Sequence, residues 1–245
     1  MNILCLSNGS VAPISGSGVL ISPSGVVLTN AHVAQYVLLS ENPAVNLSCT
    51  VRTGSAADAS FTASVLYIPP IWVNTHAVEL NTPDPQGTGE HDYALLLING
   101  AVQGVQMPAS FPYLPFDTRN AIGFTGDQAL VASYPAEFLG GLEAENALYA
   151  NSSFTTIGQL LTFGKNSVDV LSLGGIIEAQ TGSSGGAVVN PWGYLIGLIS
   201  TVSTGVDIRT SPPDPKILYA ALSPAARSTD GSIYKSEDVG KTWTR

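Results

Sequence analysis

Most apolar runs in this chain are short and β-branched, and each is closed by glycine, proline or a small polar cluster. That punctuation constrains the fold more than any other feature, because it favours strands joined by turns over long helices. Gly18-Val19-Leu20-Ile21-Ser22 and Gly25-Val26-Val27-Leu28-Thr29 flank Pro23-Ser24, the pattern of a hairpin. Further strand-like runs lie at 49–52, 63–67, 93–98, 129–134, 154–161, 168–173, 187–189 and 194–200. Helical periodicity is weak, and the stretch from Pro135 to Leu139 is expected to form one helical turn at most. Pro108, Pro112 and Pro115 fall between Met107 and Asp117 and mark a linker between two β halves. The expectation is an all-β chain in two lobes, 1–107 and 121–225, joined by a linker at 108–120 and followed by a tail at 226–245.

Charge narrows the partners. Nine basic residues face eighteen acidic ones for a net charge of −9, and the first basic residue is Arg52. No cationic stripe exists to neutralise phosphates, so nucleic acid and anionic membrane surfaces are poor partners. No apolar run reaches the eighteen residues a membrane span needs. The start, Met1 to Leu6, lacks the positive region and full apolar stretch of a signal peptide. Either the protein is cytoplasmic, or an export segment lies upstream. Cys5 and Cys49 allow one disulfide, which would point outside the cytosol, or two buried thiols.

Three places carry chemistry. His32 follows Thr29-Asn30-Ala31 at the end of an apolar strand, where a loop is expected to begin. Asp92 enters the apolar run Tyr93-Ala94-Leu95-Leu96-Leu97. Ser184 sits in Thr181-Gly182-Ser183-Ser184-Gly185-Gly186, bracketed by glycines. Acyl transfer needs a nucleophile, a base for its proton and a carboxylate to fix the base's tautomer. Glycine beside the nucleophile lets the chain turn sharply and aim two backbone N–H groups at one point, where an oxyanion would develop. His76, His91 and Glu90 are read as structural or solvated.

Taken together and in that order, these segments resemble the three signature segments of trypsin-like, chymotrypsin-fold serine proteases, over roughly residues 15 to 202. Leu28 to Val33, and Val188-Val189-Asn190 before Ile196-Gly197, are most similar to the bacterial HtrA-like branch. The resemblance implies two packed β-barrels with the active residues on loops at their interface, a polypeptide substrate and no cofactor or metal. It implies His32 as general base, Asp92 as its orienting carboxylate and Ser184 as nucleophile, with the N–H groups of Gly182 and Ser184 as the oxyanion hole. Ser200 would lie at the rim of the primary specificity pocket. Glu178 would fall near the pocket floor and Val202 near its wall, with opposite consequences for the substrate side chain preferred.

The chain also departs from the pattern. Ser183 stands where trypsin-like zymogens carry an aspartate, so the activation switch that pairs this aspartate with a new amino terminus is expected to be missing. Separately, Ser236, Asp238, Gly240, Thr242 and Trp243 resemble a single sialidase-type Asp box, in a hairpin-like tail. Serine endopeptidase chemistry is the first reading, in an extracytoplasmic setting: secreted, periplasmic or at the cell surface. The alternative is a protease-like fold that only binds, either an inactive homologue with a peptide groove or a surface recognition module for peptide or glycan.

Overall fold

The computed structural model describes residues 1–7, 13–76, 89–119, 123–136, 148–164, 168–174 and 182–200, with the backbone of three strands beyond them. The chain parts into two compact units, one of 1–81 with 89–201, the other of 82–88 with 202–245.

The first unit opens with seven strands, in the order β1 (Asn2–Ser7), β2 (Ile14–Ser17), β3 (Val19–Leu20), β4 (Val26–Thr29), β5 (Leu47–Thr53), β6 (Asp58–Tyr67) and β7 (Ala94–Ala101). They form one antiparallel sheet ordered β2-β1-β5-β6-β7-β4-β3. Its two edges are pieces of one stretch of chain, since only Gly18 separates β2 from β3. The sheet therefore closes on itself into a barrel and leaves little open edge to template aggregation. Gly18 has to be small, because a Cβ there would lie 2.7 Å from Val27 Cγ1. Ile3, Val27, Val51, Phe61, Leu96 and Ile98 fill the interior, and Phe111 meets Phe61 edge-on at 5.4 Å.

The expected hairpin at 18–29 forms, with Val19 opposite Leu28 and Leu20 opposite Val27. Two features were not expected. The segment 2–7 is a strand, pairing with β2 and β5. Two helices are present, α1 (Ala31–Ser40) and α2 (Pro70–His76). Helix α1 buries Ala31, Val33, Ala34 and Val37, spaced three and four apart on one face. Tyr36 and Leu39 also pack partly against that core while Leu38 is exposed, so apolar residues occupy most of the helix and blur the periodicity in the sequence. Tertiary packing stabilises a helix whose amphipathic signal is weak.

The 102–119 stretch, which includes most of the expected linker at 108–120, has no strand or helix of its own. It is nevertheless held along its length. Phe111 N–H donates to Pro23, Leu114 N–H to Leu20, and Leu195 N–H to Pro115. At its end Asn190 donates to Asp117 at 2.8 Å and accepts from the N–H groups of Trp192 and Tyr194. Asp117 also accepts hydrogen bonds from both N–H groups of the Nε–Nη2 edge of Arg119, which lies over the Trp192 ring. The Arg119 side chain holds the Asp117 carboxyl down to about 2.

Five more strands complete this unit: β8 (Gln128–Ser133), β9 (Asn151–Leu161), β10 (Val170–Leu173), β11 (Ala187–Val189) and β12 (Leu195–Leu198). Their antiparallel order is β10-β9-β8-β11-β12, half of a barrel. Ala129, Val131, Ile157, Val188 and Ile196 make its core. A third cluster joins the two sheets: Val19 and Leu28 pack with Ala187, Val189 and Leu195. The candidate residues His32 and Ser184 lie in segments next to this seam, after Leu28 and before Ala187 respectively.

The second unit contains an antiparallel sheet of β13 (Val206–Ser211), β14 (Asp214–Leu222) and β15 (Ser232–Ser236), ordered β13-β14-β15. Of the Asp-box resemblance only Ser236 falls in a described strand; residues 238–243 lie outside the described residues. Among the described residues no helix is long and apolar enough to cross a membrane.

Candidate active site

His32 lies in the first turn of α1 rather than in a loop, because the helix starts directly after β4. Its side chain is a third exposed, whereas that of Asp92 is 8% exposed. Two bonds join them: His32 Nδ1 lies 2.8 Å from Asp92 Oδ2, and His32 N–H donates to Asp92 Oδ1 at 2.9 Å. Both carboxylate oxygens thus face one histidine. The Ser200 hydroxyl adds a third bond, donating to Oδ2 at 3.2 Å. Burial works to raise the Asp92 carboxyl. The His32 hydrogen bonds and charge outweigh it, with help from Ser200, and the net shift is downward.

Asp92 is delivered by a tight turn. His91 adopts the left-handed conformation at φ 59°, and Tyr93 N–H returns to the His91 carbonyl at 2.9 Å. Backbone held in sparsely populated regions is a recurrent mark of functional sites. Asn30, 1% exposed, holds the turn from the other side by donating Nδ2 to the Asp92 carbonyl at 2.9 Å. Its Oδ1 is the one buried side-chain acceptor without a partner among the described residues.

Ser184 comes from the segment ahead of β11, and all of 182–190 is buried. Gly182 has φ +93° and Gly185 φ +84°. A side chain at Gly182 would lie 2.7 Å from the Tyr134 carbonyl, and one at Gly185 would overlap the Ser17 carbonyl. Only glycine fits at either position. Ser183, fully buried, meets the Ser133 hydroxyl at 3.2 Å. A carboxylate in this place would need a cation beside it; two neutral hydroxyls need none.

One closed circuit links the three residues. Ser184 accepts at its carbonyl from Ser17 N–H at 2.7 Å. Ser17 in turn accepts from Thr29 Oγ1 at 2.7 Å, and Thr29 stands three residues before His32. From His32 the path crosses to Asp92 and on to Ser200. Ile199, the residue before Ser200, accepts from Gly185 N–H at 2.8 Å, which returns the path to Ser184. Every step is one hydrogen bond or a few covalent bonds, so the three residues are held as one assembly.

Glu178 and Val202 lie outside the described residues. His76 stacks on Trp72, and His91 lies 3.7 Å from Glu90, both away from the circuit's bonds. Cys5 and Cys49 stand opposite each other on β1 and β5 and are disulfide-bonded. Sequence reasoning assigned no role to Ser17 or Asn30. A Gly-Ser-Gly stretch ahead of a strand and an asparagine before the histidine were the available signals. Among the described residues no three His, Cys, Asp or Glu side chains gather as a metal site requires.

Three solved structures align with most of this chain at low identity. An inactive serine-to-alanine mutant of Rv3671c from Mycobacterium tuberculosis shares 18% identity, with 84% of this chain and 76% of that chain covered at a TM-score of 0.44. The MamO protease domain from Magnetospirillum magneticum shares 18%, covering 91% of each chain at 0.45. A Glu endopeptidase in complex with MPD shares 15%, covering 80% and 76% at 0.44. No curated protein sequence matches significantly. The family description "Trypsin-like peptidase domain" matches residues 16–198, which contain every group of the circuit except Ile199 and Ser200. By that match over most of its length, the chain belongs to the trypsin-like peptidase domain family.

Proposed function

We propose that the protein is a serine endopeptidase in which Ser184 is the nucleophile, His32 the general base and Asp92 the residue that orients it. The closed circuit joining these residues is the observation that carries the reading. With its carboxyl shifted downward, Asp92 is ionised near neutral pH and accepts a hydrogen bond from His32 Nδ1–H, whose proton stays on the ring. That leaves His32 Nε2 as an acceptor, the tautomer a general base requires.

The reaction then runs in two halves. Ser184 Oγ bonds to the scissile carbonyl carbon as its proton passes to His32 Nε2. The negative charge on the carbonyl oxygen is stabilised by the N–H groups of Gly182 and Ser184. Collapse of this adduct breaks the C–N bond, His32 gives its proton to the leaving amine, and an acyl group remains on Ser184. Water, deprotonated by His32, attacks that ester and frees the carboxylic acid and the serine. The Cys5–Cys49 bridge supports an oxidising, extracytoplasmic setting for this chemistry.

Incubation with an unfolded polypeptide such as denatured casein tests the reading. New amino termini should accumulate with the wild type and vanish with Ser184→Ala. Intact casein after prolonged incubation with folded wild-type protein would refute it.

A further inference from the structure

Every polar group of Ser17 is committed to the nucleophile segment or its support. Ser17 is 1% exposed and ends β2. Its N–H donates to the Ser184 carbonyl at 2.7 Å. Its hydroxyl donates to the Gly182 carbonyl at 2.8 Å and accepts from Tyr134 N–H at 2.9 Å. One hydroxyl has one proton, so giving it to Gly182 is consistent with accepting from Tyr134. Its carbonyl takes the Thr29 hydroxyl, on the strand that leads to His32.

These bonds span Ser183 from one side. The N–H bond fixes the peptide plane after Ser184, and the hydroxyl bond fixes the plane after Gly182. Gly182, at φ +93°, has no other means of holding its plane through a side chain. We infer that Ser17 is a positioning residue: its hydroxyl and its N–H hold the peptide planes on either side of the Ser183–Ser184 peptide, and so fix the direction of the Ser184 N–H, one proposed oxyanion donor. This inference rests on the endopeptidase reading, and it adds a cause for the geometry of the oxyanion hole. A donor in the wrong place is equivalent to part of a donor lost, and loss of one whole donor costs about a hundred- to a thousand-fold in kcat.

Ser17→Ala removes the hydroxyl and leaves the Gly182 carbonyl and Tyr134 N–H without it. Ser17→Thr keeps the hydroxyl, and Ser17 borders a pocket of about 420 Å³ that Ser133 and Tyr134 also line. The test combines amide hydrogen exchange with peptide kinetics on the full chain. For Ser17→Ala we expect faster exchange at Tyr134 and 182–186. We also expect kcat about ten- to a hundred-fold lower with KM within about twofold, and recovery of most of that loss in Ser17→Thr. Where Ser17→Ala does not fold, Ser17→Cys should show the same changes in smaller measure.

Unchanged exchange in the alanine variant would overturn the inference. So would faster exchange with unaltered kcat, or a loss confined to KM. Failure of the underlying reading is separable: wild-type protein would then neither turn over peptide nor react with a fluorophosphonate, whereas exchange would still report the clamp. That outcome overturns the catalytic placement of Ser17 and leaves its bonds as architecture alone.

Discussion

At the scale of residues, the account rests on close approaches and on one ionised carboxylate. Gly185 is packed so tightly on Ser17 and Thr29 that Gly185→Ala should cut peptide turnover at least a hundred-fold and lower the melting temperature. Gly104 provides the control: it shares a positive φ of 89° but has nothing within 4 Å of where a Cβ would stand. Gly104→Ala should cost about 1 kcal/mol for the backbone conformation and leave turnover intact. Similar losses in both variants would show that packing at Gly185 is immaterial.

Asp92 gives a pH signature. Its folded-state carboxyl is held below its ordinary value. Its stabilising contribution is therefore present above the unfolded aspartate value of about 3.9 and is lost as pH falls through the lower folded value. Urea unfolding from pH 7 to pH 3 should show wild type and Asp92→Asn converging as the solution becomes acid. A constant gap would contradict the assigned shift. The same variant should retain about a thousandth to a ten-thousandth of wild-type kcat, because an amide no longer holds the right histidine tautomer.

At the scale of elements, His32, Asp92 and Ser184 were legible because each sits in a local pattern with its own chemistry. The glycines around Ser184 announce a sharp turn, and the apolar run after Asp92 announces a buried strand. Ser17 and Gly182 were not legible as partners, since their bond spans 165 residues of chain. Strand β1 was missed for a related reason: only pairing with β2 and β5 makes it a strand. Helix α1 was hidden because apolar residues occur at most of its positions rather than along one stripe. The hairpin at 18–29 was legible because glycine and proline act locally.

The Cys5–Cys49 bridge ties β1 to β5 across 44 residues. Loop closure of that length should contribute about 2–4 kcal/mol. Urea unfolding of the Cys5→Ser, Cys49→Ser double variant against oxidised wild type reads that difference directly. Equal midpoints would place the stability of the first barrel in its apolar core alone.

At the scale of the molecule, a closed barrel and a half-barrel meet along Val19, Leu28, Ala187 and Leu195, and the circuit of reactive groups lies beside that seam. Neither sheet holds the whole site. His32 follows and Asp92 precedes a strand of one, and Ser184 precedes a strand of the other, so activity should depend on both folding together. The abundant turns that first pointed to short strands are consistent with function carried on connecting segments.

The central claim is that Ser184 is a nucleophile activated by His32. A fluorophosphonate probe read by intact mass tests it most directly. We expect a single adduct on the wild type, none on Ser184→Ala and strongly slowed labelling of His32→Ala. Folded wild-type protein without an adduct, or labelling that survives Ser184→Ala, would contradict it.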